Sequence, residues 1–386
     1  MFFKTFVDKE KNSDLNMITK DLLDMVEEKI KTEENFEQKN ILKDIKEILK
    51  NTKTNGNASR YGINKISFAD SELIEAIDRE EQAVEYLIYR YKFKSYPLNH
   101  KLTDFPLVLA IEPSSRCNLR CKMCFQSSEK FKLSNQNNSI MDMDTYNSIM
   151  NELDNNTLYS IVFASRGEPL INPNICNMIK KAKKKNVFDI KLNTNAALLN
   201  KELSRNLIQS GLDLIVFSID SIIPEHYKNI RGIELEKVLK NIDEFIEIKK
   251  SEFPDSKLKT RVSMVITNEY KEEFENEVNK AKEYWLNRVD ELAIKSENDF
   301  IHIYDEGKEI DELNICNLLW ERLYIWNNGD VNPCDIDHLS TLKFGNINNG
   351  TTIKEIWNSN KLKSLREEHL NNRDNMKCVC RNCKGY

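Results

Sequence analysis

Between residues 107 and 294, six short segments with the pattern of strands alternate with amphipathic segments of helical length. The strand-like segments cover residues 107–112, 159–164, 188–192, 212–219, 261–266 and 291–294, and residues 212–219 are strongly apolar. Helical periodicity marks residues 141–153, 174–184, 202–210, 234–250 and 270–286 between them. This alternation predicts βαβ units in an α/β fold whose strands form a parallel sheet. In barrels built this way ligands bind at the C-terminal ends of the strands, so we expect functional motifs there.

A C-x3-C-x2-C pattern formed by Cys117, Cys121 and Cys124 directly follows the first predicted strand. Three thiolates on one loop can hold three irons of a [4Fe–4S] cluster and leave the fourth iron without a protein ligand. Zinc is the alternative, because C-x2-C pairs also bind this metal. A structural zinc site normally has four protein ligands, and neither a fourth cysteine nor a histidine lies near this loop in the sequence.

Residues 111–125, IEPSSRCNLRCKMCF, resemble the cluster loop of radical S-adenosylmethionine (radical SAM) enzymes. The resemblance implies a partial (β/α)6, TIM-like barrel. It also implies that the open iron chelates the amino and carboxylate groups of S-adenosylmethionine. One electron from the cluster would then release a 5′-deoxyadenosyl radical that takes hydrogen from the substrate. An external one-electron donor such as flavodoxin or ferredoxin is an implied partner.

The loop after the second predicted strand, SRGEPL, resembles the G-G-E-P-L loop of the same family. That resemblance implies that Gly167 and Glu168 lie where the loop receives the positive amino group of S-adenosylmethionine. Ser165 and Arg166 depart from the pattern, since small residues or glycine are usual there. The alternative for Glu168 is an ordinary surface carboxylate.

Two further strand ends carry motifs that the family uses for its cofactor. After the third strand, N-T-N-A resembles T-N-G and implies that Asn195 faces the ribose or the substrate; a helix N-cap is the alternative. After the fourth, S-I-D and Y-x-x-I-R-G imply that Ser218 and Arg231 bind the cofactor's carboxylate, a task that suits the guanidinium fork. The alternatives are a capping role for Ser218 and a structural salt bridge for Arg231. Phe125 is expected beside the adenine, with its backbone groups reading the base edge.

The C-terminal part contains a second group of cysteines. Residues 323–334 predict a β-hairpin with an Asn-Gly turn. The order C…G-D-V-x-P-C…G-N-I…I-W-N-S…C-x2-C resembles the SPASM-type extension of radical SAM enzymes. A fully ligated [4Fe–4S] cluster takes four thiolates, so we predict one auxiliary cluster. Its predicted ligands are Cys316, Cys334, Cys380 and Cys383, with Cys378 as a possible substitute. Zinc remains an alternative, since four thiolates satisfy it too.

These motifs divide the chain into a helical N-terminal region (1–95), a radical SAM core barrel (105–300) and the SPASM-type extension (310–386). One helix is expected over residues 70–91 and a linker over 96–106. The 386 residues are 40% hydrophobic and 31% charged, as in globular proteins. The formal net charge of −5 gives no basic footprint, so we expect no nucleic-acid partner.

No segment has the length of a membrane span or the pattern of a signal peptide, so we expect no membrane partner and a cytoplasmic protein. Nine cysteines without an export signal favour metal ligands over disulfides. Family members with this extension act on peptides and protein side chains, or on small cyclitols and sugar derivatives.

The helical N-terminal region does not resemble the winged-helix leader-recognition module of peptide-modifying relatives. Residues 104–113 resemble members associated with sugar and surface-polysaccharide pathways. We therefore predict a small carbohydrate- or cyclitol-like substrate that is oxidised or epimerised, with the auxiliary cluster as electron acceptor or as part of the substrate site. A peptide substrate is the alternative, and a non-catalytic metal-binding protein is the remote one. The sequence identifies no acid, base or hydrogen donor.

Overall fold

The computed structural model describes residues 3–7, 15–52, 66–134, 138–297, 301–305 and 313–384. The chain forms two compact units. One unit is Lys9–Thr103, and the other combines Met1–Asp8 with Asp104–Tyr386.

The described part of the first unit is helical. Its helices are α1 (Leu15–Thr32), α2 (Phe36–Lys50), α3 (Asp70–Ile77) and α4 (Ala83–Leu98). Apolar residues at helical spacing are buried, among them Leu22, Val26, Leu42, Ile45 and Leu49.

Two predictions for this unit are wrong in detail. The single helix expected over residues 70–91 is two helices, because the chain turns at Glu80, whose φ is 51°. The segment expected as a linker from residue 96 begins with the last turn of α4, which includes Pro97.

A ten-stranded sheet lies at the centre of the second unit. Its strands are β1 (Phe3–Val7), β2 (Val108–Ile111), β3 (Ser160–Phe163), β4 (Asp189–Thr194), β5 (Leu214–Ser218), β6 (Lys259–Ile266), β7 (Glu291–Ser296), β8 (Arg322–Ile325), β9 (Asp330–Asn332) and β10 (Gly345–Asn346). The order is β1-β7-β6-β5-β4-β3-β2-β8-β9-β10. Strands β2 to β7 are parallel and adjacent in chain order. They match the six predicted strands and confirm the partial (β/α)6 barrel.

The helices of this unit are α5 (Glu129–Leu133), α6 (Met143–Glu152), α7 (Ile175–Lys184), α8 (Lys201–Ile208), α9 (Pro224–Arg231), α10 (Leu235–Glu252), α11 (Phe274–Trp285), α12 (Ile353–Trp357) and α13 (Asn360–Asn371). Among the described residues, no helix is both long and apolar enough to cross a membrane.

The two faces of the barrel sheet differ in burial. On β4, Ile190 and Leu192 are fully buried in the core, whereas Lys191 and Asn193 are half-buried on the opposite face. Strand β6 shows the same alternation. A sheet covered on both faces would be buried throughout. On these two strands the residues that face away from the core, on what is called the interior face below, are therefore less buried than those of the core face.

The sheet extends beyond the barrel in two ways that the sequence did not indicate. Strand β1 pairs antiparallel with β7. Strand β8 pairs parallel with β2, so the predicted C-terminal hairpin, which β8 and β9 form, continues the barrel sheet. The hairpin turn contains Gly329, whose φ is 83°. Because β8 pairs with β2, the end of β8 lies beside the start of the three-cysteine loop.

Candidate cofactor and cluster site

The three cysteines of the first motif lie together on the loop that follows β2. Cys121 is buried, and Cys117 and Cys124 are half-buried. The pKa of the Cys124 thiol is raised to about 12, mainly by burial and to a smaller degree by the charges of the nearby Cys121 and Cys117. Three thiols this close to each other form one donor set at the C-terminal edge of the sheet.

Two polar side chains from other segments contact these sulfurs, one at the end of α9 and one directly after β4. Arg231 Nη1 donates to Cys121 Sγ over 3.7 Å, and Arg231 Nε donates to Asp220 Oδ2 over 2.5 Å. Asn195 Nδ2 lies 3.9 Å from Cys117 Sγ. Burial raises the pKa of the Cys121 thiol, and the Arg231 guanidinium lowers it only in part. Metal binding would take these cysteines as thiolates.

Glu168 is a buried carboxylate held by three donors. Its Oε1 accepts from Thr194 Oγ1 at 2.7 Å and from the amide of Leu170 at 3.1 Å. Its Oε2 accepts from the amide of Asn195 at 2.8 Å. Burial raises the pKa of Glu168, whereas these hydrogen bonds lower it. Glu168 and Asn195, which the sequence placed on different motifs, thus form one unit.

Gly167 packs directly against the three-cysteine loop. A Cβ at this position would lie 2.3 Å from Ser114 O and 2.4 Å from Arg116 O. The amide of Glu168 also donates to Arg116 O over 2.8 Å. Ser165, two residues earlier, has a φ of 107°. The loop therefore approaches residues 114–116, directly before Cys117, as closely as a backbone without a side chain allows.

The other predicted cofactor residues lie near this group without joining it. Ser218 ends β5 on the interior face and is half-buried. Within the described ranges, no hydrogen bond joins Ser218 to Arg231. The Phe125 ring stacks on His338, with ring centroids 4.3 Å apart and an interplanar angle of 8°. Two buried polar atoms at strand ends, Ser165 Oγ and Asn193 Oδ1, have no hydrogen-bond partner among the described residues.

The C-terminal cysteines form a second group. One cavity is lined by Cys316, Cys334, Cys380 and Cys383, together with apolar residues such as Ile303, Leu319 and Val379. The Cys380 thiol lies close enough to Cys334 and Cys316 for their charges to raise its pKa, after its hydrogen bond to Cys378 and its burial. Cys378 is hydrogen-bonded to Cys380 but does not line the cavity.

In the part of the chain that the structure describes, no three His, Cys, Asp or Glu side chains are arranged to hold one metal ion. A [4Fe–4S] cluster takes each thiolate on a different iron, and zinc also accepts four thiolates. Three cysteines at the first site and four at the second match an open and a closed cluster.

Several residues of this region have no counterpart among the sequence predictions. Glu112 and Arg166 form a buried ion pair, with Nε–Oε2 at 2.6 Å and Nη2–Oε1 at 2.8 Å. The sequence signal that could have pointed to this pair is that each charged residue lies at or shortly after the end of a predicted strand. Asp337 follows a predicted cluster cysteine, but it accepts from Tyr304 Oη at 2.8 Å and from the amide of Leu342 at 2.7 Å. Asp337 therefore stabilises the loop to which it belongs.

Comparison with known proteins agrees with this geometry. Residues 111–281 match the family model of the radical SAM superfamily, and residues 316–384 match that of the SPASM iron–sulfur cluster-binding domain. A tungsten-containing aldehyde ferredoxin oxidoreductase cofactor-modifying protein from Pyrococcus furiosus is 34% identical over 113 residues, which are 29% of this chain and 30% of that protein. The chain spans less than half the length of the curated relatives it matches.

Two solved structures show the same fold. Streptococcus suis SuiB bound to S-adenosylmethionine aligns with a TM-score of 0.51 and 18% identity over 82% of this chain and 84% of that one. Native anSMEcpe with bound AdoMet aligns with a TM-score of 0.53 and 20% identity over 72% and 88%. At these identities the likeness concerns the fold alone.

Proposed function

Because the chain belongs to the radical SAM superfamily and carries a SPASM domain, we propose that it takes hydrogen from a small hydroxylated substrate. With its clusters and S-adenosylmethionine bound, the site would supply a 5′-deoxyadenosyl radical and a one-electron acceptor. The protein's own residues bind the cofactor, hold the substrate and exclude water from the site.

The cofactor is held by the residues around the three-cysteine loop. Cys117, Cys121 and Cys124 hold the first cluster. Glu168 faces the amino group of S-adenosylmethionine, and Asn195, which bonds to Glu168 through its amide, faces the ribose. The contact of Arg231 with Cys121 supports a role at the carboxylate, because a carboxylate bound beside that sulfur would meet the guanidinium. Ser218 and Phe125 complete the proposed set, at the carboxylate and the adenine.

The polarity of the interior face supports a small carbohydrate- or cyclitol-like substrate. The half-buried residues that line this face on three neighbouring strands include Lys191, Asn193, Ser218 and Ser263. Their hydroxyl, amide and cationic groups match the hydrogen-bonding groups of a polyol or a sugar phosphate. Asn193 Oδ1 is a buried acceptor without a partner among the described residues, and a substrate hydroxyl can donate to it. This observation carries the proposed substrate class.

Deuterium transfer tests this proposal. The anaerobically reconstituted protein is mixed with dithionite, S-adenosylmethionine and perdeuterated myo-inositol, glucose or UDP-glucose, and 5′-deoxyadenosine is analysed by mass spectrometry. We expect 5′-deoxyadenosine in every sample and deuterium in it with at least one of these compounds. Deuterium only from a labelled peptide would replace the substrate class with the peptide alternative. A protein that contains zinc without iron and forms no 5′-deoxyadenosine would contradict the proposal that this chain is an enzyme.

The proposed auxiliary cluster gives a separate prediction. Cys380 lines the cavity with Cys316, Cys334 and Cys383, whereas Cys378 does not. We expect Cys380→Ser to remove about four irons per chain and to leave 5′-deoxyadenosine formation in place, since a [4Fe–4S] cluster takes four thiolates. The matched variant Cys378→Ser should keep its full iron content. Iron and sulfide assays measure the cluster content of each variant. Loss of iron in Cys378→Ser but not in Cys380→Ser would show that Cys378 is the ligand instead of Cys380.

The first cluster needs an electron from outside the chain. The side chains of Arg116 and Arg120, on the three-cysteine loop, are exposed, and Arg120 donates to Cys117 O over 2.7 Å. Such a positive surface at the loop suits an acidic carrier, and flavodoxin or ferredoxin is the proposed donor.

A further inference from the structure

The side chain of Arg166 crosses from the loop after β3 to the C-terminal extension. It is 3% exposed, and its partner Glu112, which follows β2, is 0% exposed. Nε and Nη2 contact the two oxygens of Glu112, so the pair is bidentate. The third nitrogen, Nη1, donates to His338 O over 3.2 Å. The guanidinium carbon also lies 4.3 Å from the centroid of the Trp326 ring.

Glu112 is bound to the extension as well. Its Oε1 accepts from the backbone amide of Asn327 at 3.2 Å and from the Asn327 side chain. Trp326 and Asn327 follow β8 directly and begin the hairpin turn. One buried ion pair therefore joins the barrel to two separate segments of the extension.

The same residue is connected to the cofactor loop through its backbone. Gln126 Nε2 donates to Arg166 O and, over 2.9 Å, to Ser115 O on the three-cysteine loop. Gly167 and Glu168 come immediately after Arg166, and a Cβ at Gly167 would lie 2.3 Å from Ser114 O. Arg166 and Glu168 are thus two residues apart on one closely packed loop.

We infer that Arg166 is a positioning residue that fastens the Glu168 loop to the extension, so that binding of S-adenosylmethionine depends on the hairpin turn at Trp326 and Asn327. This rests on the proposed function. The Glu112–Arg166 pair has both charges neutralised and most donors used, which fixes one geometry for the loop. Lysine cannot reproduce it, since an ammonium lacks both the planar fork and the stacking face.

Arg366 supplies a matched control in the same extension. It is also buried at 3% exposure, and its guanidinium carbon lies 4.3 Å from the Trp357 ring centroid. Its Nε donates to Leu319 O over 2.9 Å and its Nη1 to Trp357 O over 3.1 Å. These partners all belong to the extension and none to the Glu168 loop.

The test compares Arg166→Lys with Arg366→Lys in the reconstituted holoenzyme. The dissociation constant of S-adenosylmethionine is measured from the change it causes in the EPR spectrum of the reduced protein, and Tm is measured in parallel. We expect both variants to lose Tm, and Arg166→Lys alone to bind S-adenosylmethionine at least about tenfold more weakly, as for one lost charge-assisted contact. Equal affinity in Arg166→Lys and wild type, or the same loss in Arg366→Lys, would overturn the inference.

Trp326→Phe provides a second route if Arg166→Lys does not fold. It keeps an aromatic ring in the hairpin turn and reduces the stacking surface, so we expect a severalfold weaker affinity for S-adenosylmethionine. Unchanged affinity would count against the inference. Measurements on the wild-type protein distinguish failure of the proposed function from failure of this inference alone. If its EPR spectrum does not respond to S-adenosylmethionine, the proposed function fails; if only the variants behave like wild type, the inference alone fails.

Discussion

Cys121→Ala is expected to abolish 5′-deoxyadenosine formation by the reconstituted protein. Cys121 is the buried member of the three-cysteine loop and the sulfur that Arg231 contacts. Two remaining thiolates cannot fix a cluster with a single open iron. The loss should exceed the roughly 10–100-fold effect of removing an outer partner of a metal ligand. The measurement is 5′-deoxyadenosine by liquid chromatography after addition of dithionite and S-adenosylmethionine.

Cys176→Ala is the matched control for this variant. Cys176 is a half-buried cysteine on α7 that packs against the hydrophobic core. Its substitution should leave both the iron content and the rate unchanged. A Cys121→Ala protein that still forms 5′-deoxyadenosine at the wild-type rate would show that this loop does not hold the first cluster.

Gly167→Ala is expected to weaken binding of S-adenosylmethionine strongly without unfolding the barrel. The new Cβ would lie 2.3–2.7 Å from three backbone atoms of residues 114–116, so one of the two loops must shift. A misplacement of about 1 Å in a positioned site can cost about 100-fold in rate. The rate of 5′-deoxyadenosine formation at low cofactor concentration measures this loss, and circular dichroism checks the fold.

Gly350→Ala separates a clash from a backbone effect. Gly350 has a φ of 82°, and a Cβ there would meet no atom within 4 Å. Its substitution should cost about 1 kcal/mol of stability through the left-handed conformation, with no effect on the cofactor. If Gly167→Ala behaves like Gly350→Ala in both assays, the close approach of the two loops has no role in cofactor binding.

The barrel was predictable because each of its strands has a local signal. Residues 188–192 and 261–266 lie between helices and alternate apolar with more polar residues, which is the local pattern of a strand buried on one face. Strands β1 and β8 were missed as members of this sheet, since pairing with β7 and β2 depends on residues far away in the chain. The break at Glu80 was missed because the apolar periodicity continues on both sides of it.

The site divides in the same way. The cysteines have diagnostic spacing, and Gly167 and Glu168 lie in a recognisable motif, so they could be named from the sequence. The partners that hold this motif could not. Glu112 and Arg166 are 54 residues apart, and Arg166 and His338 are 172 apart. No spacing encodes contacts of that separation; the fold brings these residues together when β8 joins the edge of the barrel beside β2.

The most direct test of the central claim is electron–nuclear double resonance on the reduced Cys380→Ser protein, in which the first cluster is expected to remain alone. S-adenosylmethionine labelled with ¹⁵N at the amino group and ¹⁷O at the carboxylate is added under anaerobic conditions. We predict hyperfine couplings from both labels, because three cysteines leave one iron open to chelation. A spectrum with a reduced cluster and no coupling to either label would contradict the account.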